Sequence, residues 1–560
     1  METRHAMKDE GCDILRKLED NSLLEVIKDG RKGDCVRMHD LIRDMALDIT
    51  RMRPRFLVEA GKALKELPER VNCAEGVETV SLMHNYIEEI PSSLAFSTCI
   101  RLTTLLLAHN KLSTIPEFVF EHMQELKVLD LSFNLWLSSL PNSVSKLVKL
   151  TTLLLESTSL EKVPSLSGLG SLKKLNLRGT KIKEVPEGLG MLKNLKCLFL
   201  CRSNPSDILE IDEIADAVLL NLSKLQELIV DNSRIKLKGN VVGRLKKLEV
   251  FHGWFPTANE MRILLKCQPN RLSDYFINVG SNSNVTYTVT AELRRYKKIM
   301  VFEETSIVGE NTLLPSVQVL CIEACHDIRS LNEFSGIKDA TDLRECWIWN
   351  CDGMECVLSS WINNTVIQTL EYLLLYNLHK LDRLFEANVM VTSSPPLKAF
   401  SSLKVVWIVE CKKIKKLFPS WKLAEYLQSL ERIYVYGCEE MEEIIGSDPE
   451  EEGEEGGDII KELILPKLKE LKLWKLPALK SICSRRAVMV RDSLGSITIS
   501  DCKGLRRIPL YLPLLDNAQP SPPPSLMIIN IYRGEQEWWE SLEWDHPNAK
   551  DVLQPMVQFY

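Results

Sequence analysis

The chain lacks any long hydrophobic run. Nowhere in the sequence do roughly 18 uninterrupted apolar residues occur, so no membrane-spanning helix is expected. The opening METRHAMKDEGCD is charged and has no apolar core of a secretory signal, and a cytoplasmic location is expected. Basic charge is not in excess either: 70 Lys and Arg stand against 77 Asp and Glu, a net charge of −7. Seven acids (Asp448, Glu450, Glu451, Glu452, Glu454, Glu455 and Asp458) fall in one stretch without a base, so the rest of the chain is neutral. A neutral body with one acidic segment is a poor binder of nucleic acid. The sixteen cysteines form no CxxC pair, which argues against zinc, and most recur singly at one place in a repeat. They read as reduced, buried small hydrophobes. No GxSxG, HExxH or GxxxxGK[ST] pattern occurs, so the chain is read as a non-enzyme with no catalytic residue, no metal and no cofactor of its own.

What is present is a folded composition, 45% apolar and 26% charged with mean hydropathy near zero, on a chain of 560 residues. That length requires several domains, a large barrel or a repeat array. A repeat is plain in the frame Leu-x-x-Leu-x-Leu. Leu102, Leu105 and Leu107 in RLTTLLLAHNKLSTIP are followed by Asn110, Leu112 and Ile115. The frame returns at Leu150 and Leu172, and with one extra residue at Leu126. Later units carry Cys at the Asn place: Cys325, Cys351, Cys411, Cys438 and Cys502. Unit starts at 77, 102, 126, 150, 172, 195, 225, 248, 272, 296, 317, 343, 370, 403, 430, 468, 494 and 526 lie about 26 residues apart, those at Leu272 and Tyr296 being degenerate. This is the leucine-rich repeat pattern. The fold class is therefore an α/β leucine-rich repeat solenoid, in which each unit adds one strand to a parallel sheet on the concave side and no unit buries its faces alone.

The frame predicts repeats over 77–530. An acidic insertion at 446–458 is expected to be disordered and looped out, because the step from Leu430 to Leu468 is longer than the mean by about its length. Beyond 530, Trp538, Trp539 and Trp544 are expected to form a C-terminal cap over 531–560. Before Val77, residues 1–60 read as helix, hairpin, helix, too small for a core of their own, with a linker at 61–76.

The last helix of that segment opens with Met38-His39-Asp40 in VRMHDLIRDMALDI. Together with GCDILRKLEDNSLLEV and the Asn-type and Cys-type repeats, this stretch closely resembles plant intracellular nucleotide-binding leucine-rich repeat immune receptors of the coiled-coil class. The resemblance implies that 1–60 is the C-terminal part of a winged-helix domain. It also implies that His39, with Asp40 beside it, contacts the phosphate of bound ADP in a full-length parent. The phosphate-binding loop such a switch needs is not in this sequence, so the chain is expected to be truncated at its N-terminus and to hold no ADP or ATP itself. The function implied is that of an immune receptor fragment, whose repeats recognise a pathogen effector or a guarded host protein and restrain an intramolecular nucleotide-binding domain. The alternatives are a signalling ATPase switch, if the true chain extends upstream, and a repeat scaffold or adaptor.

Within each LxxLxL strand, the residue between the last two apolar positions and the one just after them face solvent on the sheet. Successive units place there Trp347 and Trp349, Leu374 and Tyr376, Trp407 and Val409, Tyr434 and Tyr436, and Lys472 and Trp474. The seven aromatics Trp347, Trp349, Tyr376, Trp407, Tyr434, Tyr436 and Trp474 are the expected partner-binding residues, since Trp and Tyr dominate interface energetics.

Overall fold

The structure is a computed structural model that describes residues 4–29, 33–52, 55–68, 76–91, 96, 99–201, 211–231, 233, 235–267, 271–281, 293, 295–307, 313–314, 316–334, 336–359, 366–385, 400–419, 426–446, 461–483, 487–490, 493–515, 519–532 and 534–560. The acidic insertion, apart from Gly446, lies outside the described residues. Two compact units are present, the first made of 1–255, 271–277 and 284–287, the second of 256–270, 278–283 and 288–560.

Each of the eighteen expected starts is followed two residues later by a strand: Val77 by Thr79–Ser81, Leu102 by Thr104–Leu106, and Leu526 by Ile528–Ile531. The degenerate starts at Leu272 and Tyr296 give Asp274–Gly280 and Lys298–Glu303. In the first unit the helix Arg4–Asp20, the antiparallel hairpin Glu25–Asp29 with Gly33–Arg37, and the helix Asp40–Met52 precede a parallel ladder. That ladder runs strand by strand from Phe56–Val58 through Thr79–Ser81 and Cys197–Phe199 to Val250–Phe255. In the second unit it runs from Lys298–Glu303 through Glu345–Trp349, Tyr372–Tyr376, Val405–Val409, Arg432–Tyr436 and Glu470–Trp474 to Val557–Phe559.

The ladder exceeds the expected repeat range at both ends. Phe56–Val58 pairs with Thr79–Ser81, and Val557–Phe559 pairs with Ile528–Ile531, although neither carries the leading Leu of the frame. The tryptophans after 530 consequently lie inside the last turn rather than over its end. Trp539 is fully buried and donates to Gln554 Oε1 at 3.1 Å, Trp544 meets it edge to face at 5.4 Å, and Trp538 donates to the Leu505 carbonyl at 2.9 Å.

Three devices hold successive turns together. The second apolar position of each frame is buried, as at Leu105, Leu129, Leu153, Leu320 and Val406, each worth about 1.5–3 kcal/mol of transfer from water. The Asn or Cys place bonds main-chain groups: Asn110 Nδ2 reaches the Leu82 carbonyl of the previous turn at 2.8 Å and that of Leu107 at 3.0 Å. Thr158 and Thr180 keep only the local bond, whereas Cys351 makes both weakly, with Sγ 3.4 Å from the Trp349 carbonyl and 3.9 Å from the Ile322 carbonyl of the previous turn. Just past many strands of the ladder, one residue takes a left-handed conformation, among them His109 (φ 56°), Asn350 (φ 56°), Asn377 (φ 52°) and Lys475 (φ 52°). Gly437 (φ 65°) occupies that place after Arg432–Tyr436, and a Cβ there would sit 2.7 Å from Glu410 Oε1. Among the described residues, no helix is long and apolar enough to cross a membrane.

Candidate protein-binding face

Parallel pairing without slippage carries the alternation of one strand onto the next. The register aligns Trp347, Leu374, Trp407, Tyr434 and Lys472 in one row, and Trp349, Tyr376, Val409, Tyr436 and Trp474 in a second. Neighbouring strands lie about 4.8 Å apart, within reach of ring-to-ring contact. Trp407 meets Tyr434 at 5.5 Å between centroids, Tyr436 meets Trp474 at 6.3 Å, and Trp347 meets Trp349 at 6.5 Å within one strand, all edge to face. The seven expected aromatics therefore share one sheet face of the second unit.

Their exposure is unequal. Tyr376, Trp407 and Trp474 are 43%, 45% and 36% exposed, and Trp347, Tyr434 and Tyr436 are half-buried. Trp349 is only 8% exposed, which removes it from the contact surface expected of it. Its indole donates to Glu323, so it belongs to the packing beneath the face.

Carboxylates from the chain itself hold several of these rings. Trp347 Nε1 donates to Glu345 Oε2 at 3.0 Å. Glu345 is 1% exposed, and both Arg295 and, at 2.8 Å, the Tyr296 hydroxyl donate to its other oxygen. The Arg295 guanidinium lies 5.1 Å from the centroids of both Tyr296 and Tyr372. Burial, and then the Glu345 carboxylate, push the Tyr296 phenol well above its ordinary range. Tyr434 donates to Glu470, and burial followed by that carboxylate raises its phenol likewise. Lys475 Nζ donates to the Tyr436 hydroxyl at 2.8 Å, and Trp474 Nε1 to that of Tyr560 at 3.2 Å. Rings fixed this way lose little freedom when a partner covers them.

His39 and Asp40 sit elsewhere, at the start of Asp40–Met52, both exposed. His39 Nδ1 accepts the Leu41 N–H at 3.3 Å and Asp40 pairs with Arg43 at 2.9 Å, both contacts of a helix start. The apolar side of this helix, Leu41, Met45 and Ile49, is exposed.

One further aromatic feature was not foreseen. In the first unit His84 stacks on His109, and His109 on Phe133, at 4.2 Å each. These are the left-handed residues that follow three adjacent strands, so their side chains leave the frame one place later than the rows above. Burial, and then the charge of His84, lower the pKa of His109.

Comparison with known proteins agrees with the repeat architecture. Residues 100–160 match a model of leucine-rich repeats, and residues 369–510 match one described as plant disease resistance protein RPS2-like, leucine-rich repeats. Over 98% of its length the chain is 27% identical to the Arabidopsis thaliana disease resistance protein At4g27190, covering 54% of that protein. Over 97% of its length it is 28% identical to disease resistance protein RPS5 of the same plant, covering 48% of it. Against disease resistance protein RFL1, also of Arabidopsis thaliana, identity is 40% over 34% of this chain and 22% of that one. The chain thus spans about half the length of the curated relatives first matched.

Proposed function

Because the chain is a leucine-rich repeat protein of the plant disease resistance type, we propose that the aromatic sheet face of its second unit recognises a pathogen effector or a guarded host protein. The observation that carries this is the exposure of Tyr376, Trp407 and Trp474 on one face whose neighbouring rings are already held by Glu345, Glu470 and Lys475. Exposed aromatics on a rigid support are what an interface needs at its centre. In this reading the chain is a recognition module of the cytosol, performs no chemistry and holds no cofactor. ADP or ATP would belong to a nucleotide-binding part of a longer protein, where His39 and Asp40 would meet the phosphate. The exposed apolar side of Asp40–Met52 supports a contact with such a part.

The test is the double replacement of Tyr376 and Trp407 by Ala in the full receptor. Truncating an interface hot spot costs about 2 kcal/mol or more, so two together should weaken binding by roughly 1,000-fold. The purified chain should melt within a few degrees of the unaltered one, while recognition in leaf tissue is lost. Full recognition by a stable double variant would refute the assignment.

A further inference from the structure

Lysines collect along one edge of the first unit's sheet. Lys127, Lys173 and Lys196 stand directly before the strands Val128–Asp130, Lys174–Asn176 and Cys197–Phe199. Main-chain bonds carry this row from turn to turn: Thr151 N–H donates to the Lys127 carbonyl at 2.8 Å, Lys173 to Thr151 at 2.8 Å and Lys196 to Lys173 at 2.7 Å. Lys193, Lys246 and Lys247 fall one or two places ahead of the frame residues Leu195 and Leu248, on the same edge. Lys127, Lys173, Lys193 and Lys246 are exposed, Lys196 and Lys247 half-buried, and none of the six has an ion pair among the described residues. Lys149 and Lys224, at equivalent places, are taken by Glu125 at 2.5 Å and Asn194 at 2.7 Å. From the turn of Leu126 to that of Leu248, the acids at these places are Glu125 and Glu249. Ammonium groups one or two strand spacings apart, at about 4.8 Å each, repel until an anion covers them.

The same chain carries the complementary charge. Seven acids stand between Asp448 and Asp458 without a base. Lysines close to that stretch are already matched: Lys412 pairs with Glu439 at 2.8 Å, Lys416 with Glu443 at 2.9 Å and Lys480 with Glu442 at 2.6 Å. Tethered at Gly446 and at Lys461, the intervening chain reaches at most about 24 Å, half its length fully extended. That equals about five strand spacings. The second unit alone steps through five pairings from Arg432–Tyr436 back to Lys298–Glu303, so within one chain the acids stay on the second unit. A second copy is under no such limit.

We propose that the lysine edge of the first unit takes the acidic stretch 448–458 of a second copy of this chain. Lysine is a compact charge on a flexible stem and demands no planar fork, which suits a run of carboxylates interrupted by Gly453 and Gly456. A phosphate polymer is held by free main-chain N–H groups or by rings on which its bases stack. Here the N–H groups of Lys173 and Lys196 are spent in the ladder, and the large exposed apolar side chains beside the lysines are Val148 and Met191, at 52% and 59%. The contact joins different surfaces of the two copies: reciprocal docking closes a dimer, and one-way docking extends a row. Association therefore rises with protein concentration, and, being made by solvent-exposed charges, it falls with salt.

Sedimentation velocity of the purified full chain, at about 50 and about 500 mM NaCl, tests the contact. At the lower salt the chain should associate as its concentration rises, and the association constant should drop at least tenfold at the higher. Replacing Glu450, Glu451, Glu452, Glu454 and Glu455 by Gln should leave a monomer at low salt, and so should Lys173→Glu combined with Lys196→Glu. Each variant keeps one half of the contact, so an equimolar mixture of the two should associate again and stop at two copies, which a misfolded variant could not do. Lys413→Glu with Lys415→Glu, on the turn before the acidic stretch, should associate like the unaltered chain. A monomer at both salts, association that survives either set of replacements at the contact, loss of association in the Lys413 and Lys415 variant, or a mixture that stays monomeric would each overturn the proposal. So would an oligo-dT strand that binds the lysine edge of a chain that does not self-associate, since it would assign the edge to nucleic acid.

Discussion

Replacing Glu323 by Gln probes how the aromatic face is supported from beneath. Glu323 ends the strand Val319–Glu323 at 8% exposure; Trp349 donates to it, and its Oε2 has no partner among the described residues. Burial is the main cause that lifts its pKa to about 7, opposed by the Trp349 N–H and assisted by the charges of Glu303 and Glu304. Against an ordinary value of 4.5, a rise of that size corresponds to about 3 kcal/mol between the two protonation states. The sign follows from which state holds the proton. Through the window from 4.5 to about 7 the folded chain keeps a proton that the unfolded chain releases. Stability therefore falls as pH rises through that window and levels off above it. Gln keeps an oxygen for Trp349 and carries no charge, so it removes this dependence. The variant should equal the unaltered chain near pH 4 and exceed it by about 3 kcal/mol near pH 8. Urea midpoints, together with amide exchange in Val319–Glu323 and Glu345–Trp349, measured for both proteins across that range, read the difference directly. A difference that does not change with pH, or a variant less stable near pH 8, would refute the reasoning.

Two further outcomes are expected. Asn134 is fully buried, donates to the Leu131 and Leu107 carbonyls at 2.8 and 3.0 Å, and accepts the Leu112 N–H at 3.1 Å. Asn134→Ala strands these main-chain groups at about 1–3 kcal/mol each, so thermal melting should shift down by several degrees, more than for Thr158→Ala. Burial pushes the Cys346, Cys351 and Cys502 thiols up to about 12, whereas Cys267 is exposed. In the native chain near neutral pH, iodoacetamide should modify Cys267 well before these three; equal rates by mass spectrometry would contradict their burial.

The strand positions were legible because one spacing serves every turn: three apolar residues per frame must face the core whatever lies between them. Even Asp274–Gly280, in a degenerate frame, follows its start at Leu272 by two residues. Phe56–Val58 and Val557–Phe559 were not legible, because each is a run of three residues whose pairing with a neighbouring turn, rather than its own pattern, makes it a strand. The second layer of short parallel pairs, Cys356–Leu358 with Arg383–Phe385 and Lys416–Phe418 with Glu443–Ile445, was hidden for the same reason. Such residues sit in the return segment, where the frame fixes only one or two apolar places.

The site was legible in one dimension and not in the other. Period-two alternation names the residues that leave the sheet on the solvent face, and an unslipped parallel register stacks them, so both aromatic rows follow from the frame. How far each ring stays exposed depends on what lies beside it. Trp349 and Trp474 hold equivalent places in one row, yet Trp349 is bonded to Glu323 and closely buried, whereas Trp474 reaches toward Tyr560 and remains open. The neighbours that decide this lie in other turns, and Tyr560 is in a turn that carries no frame signal at all. A repeat sequence therefore specifies its scaffold turn by turn, while a binding cleft is specified by groups on different turns. Trp474, Asp501, Glu535 and Tyr560, each from a different turn, converge to line one cleft.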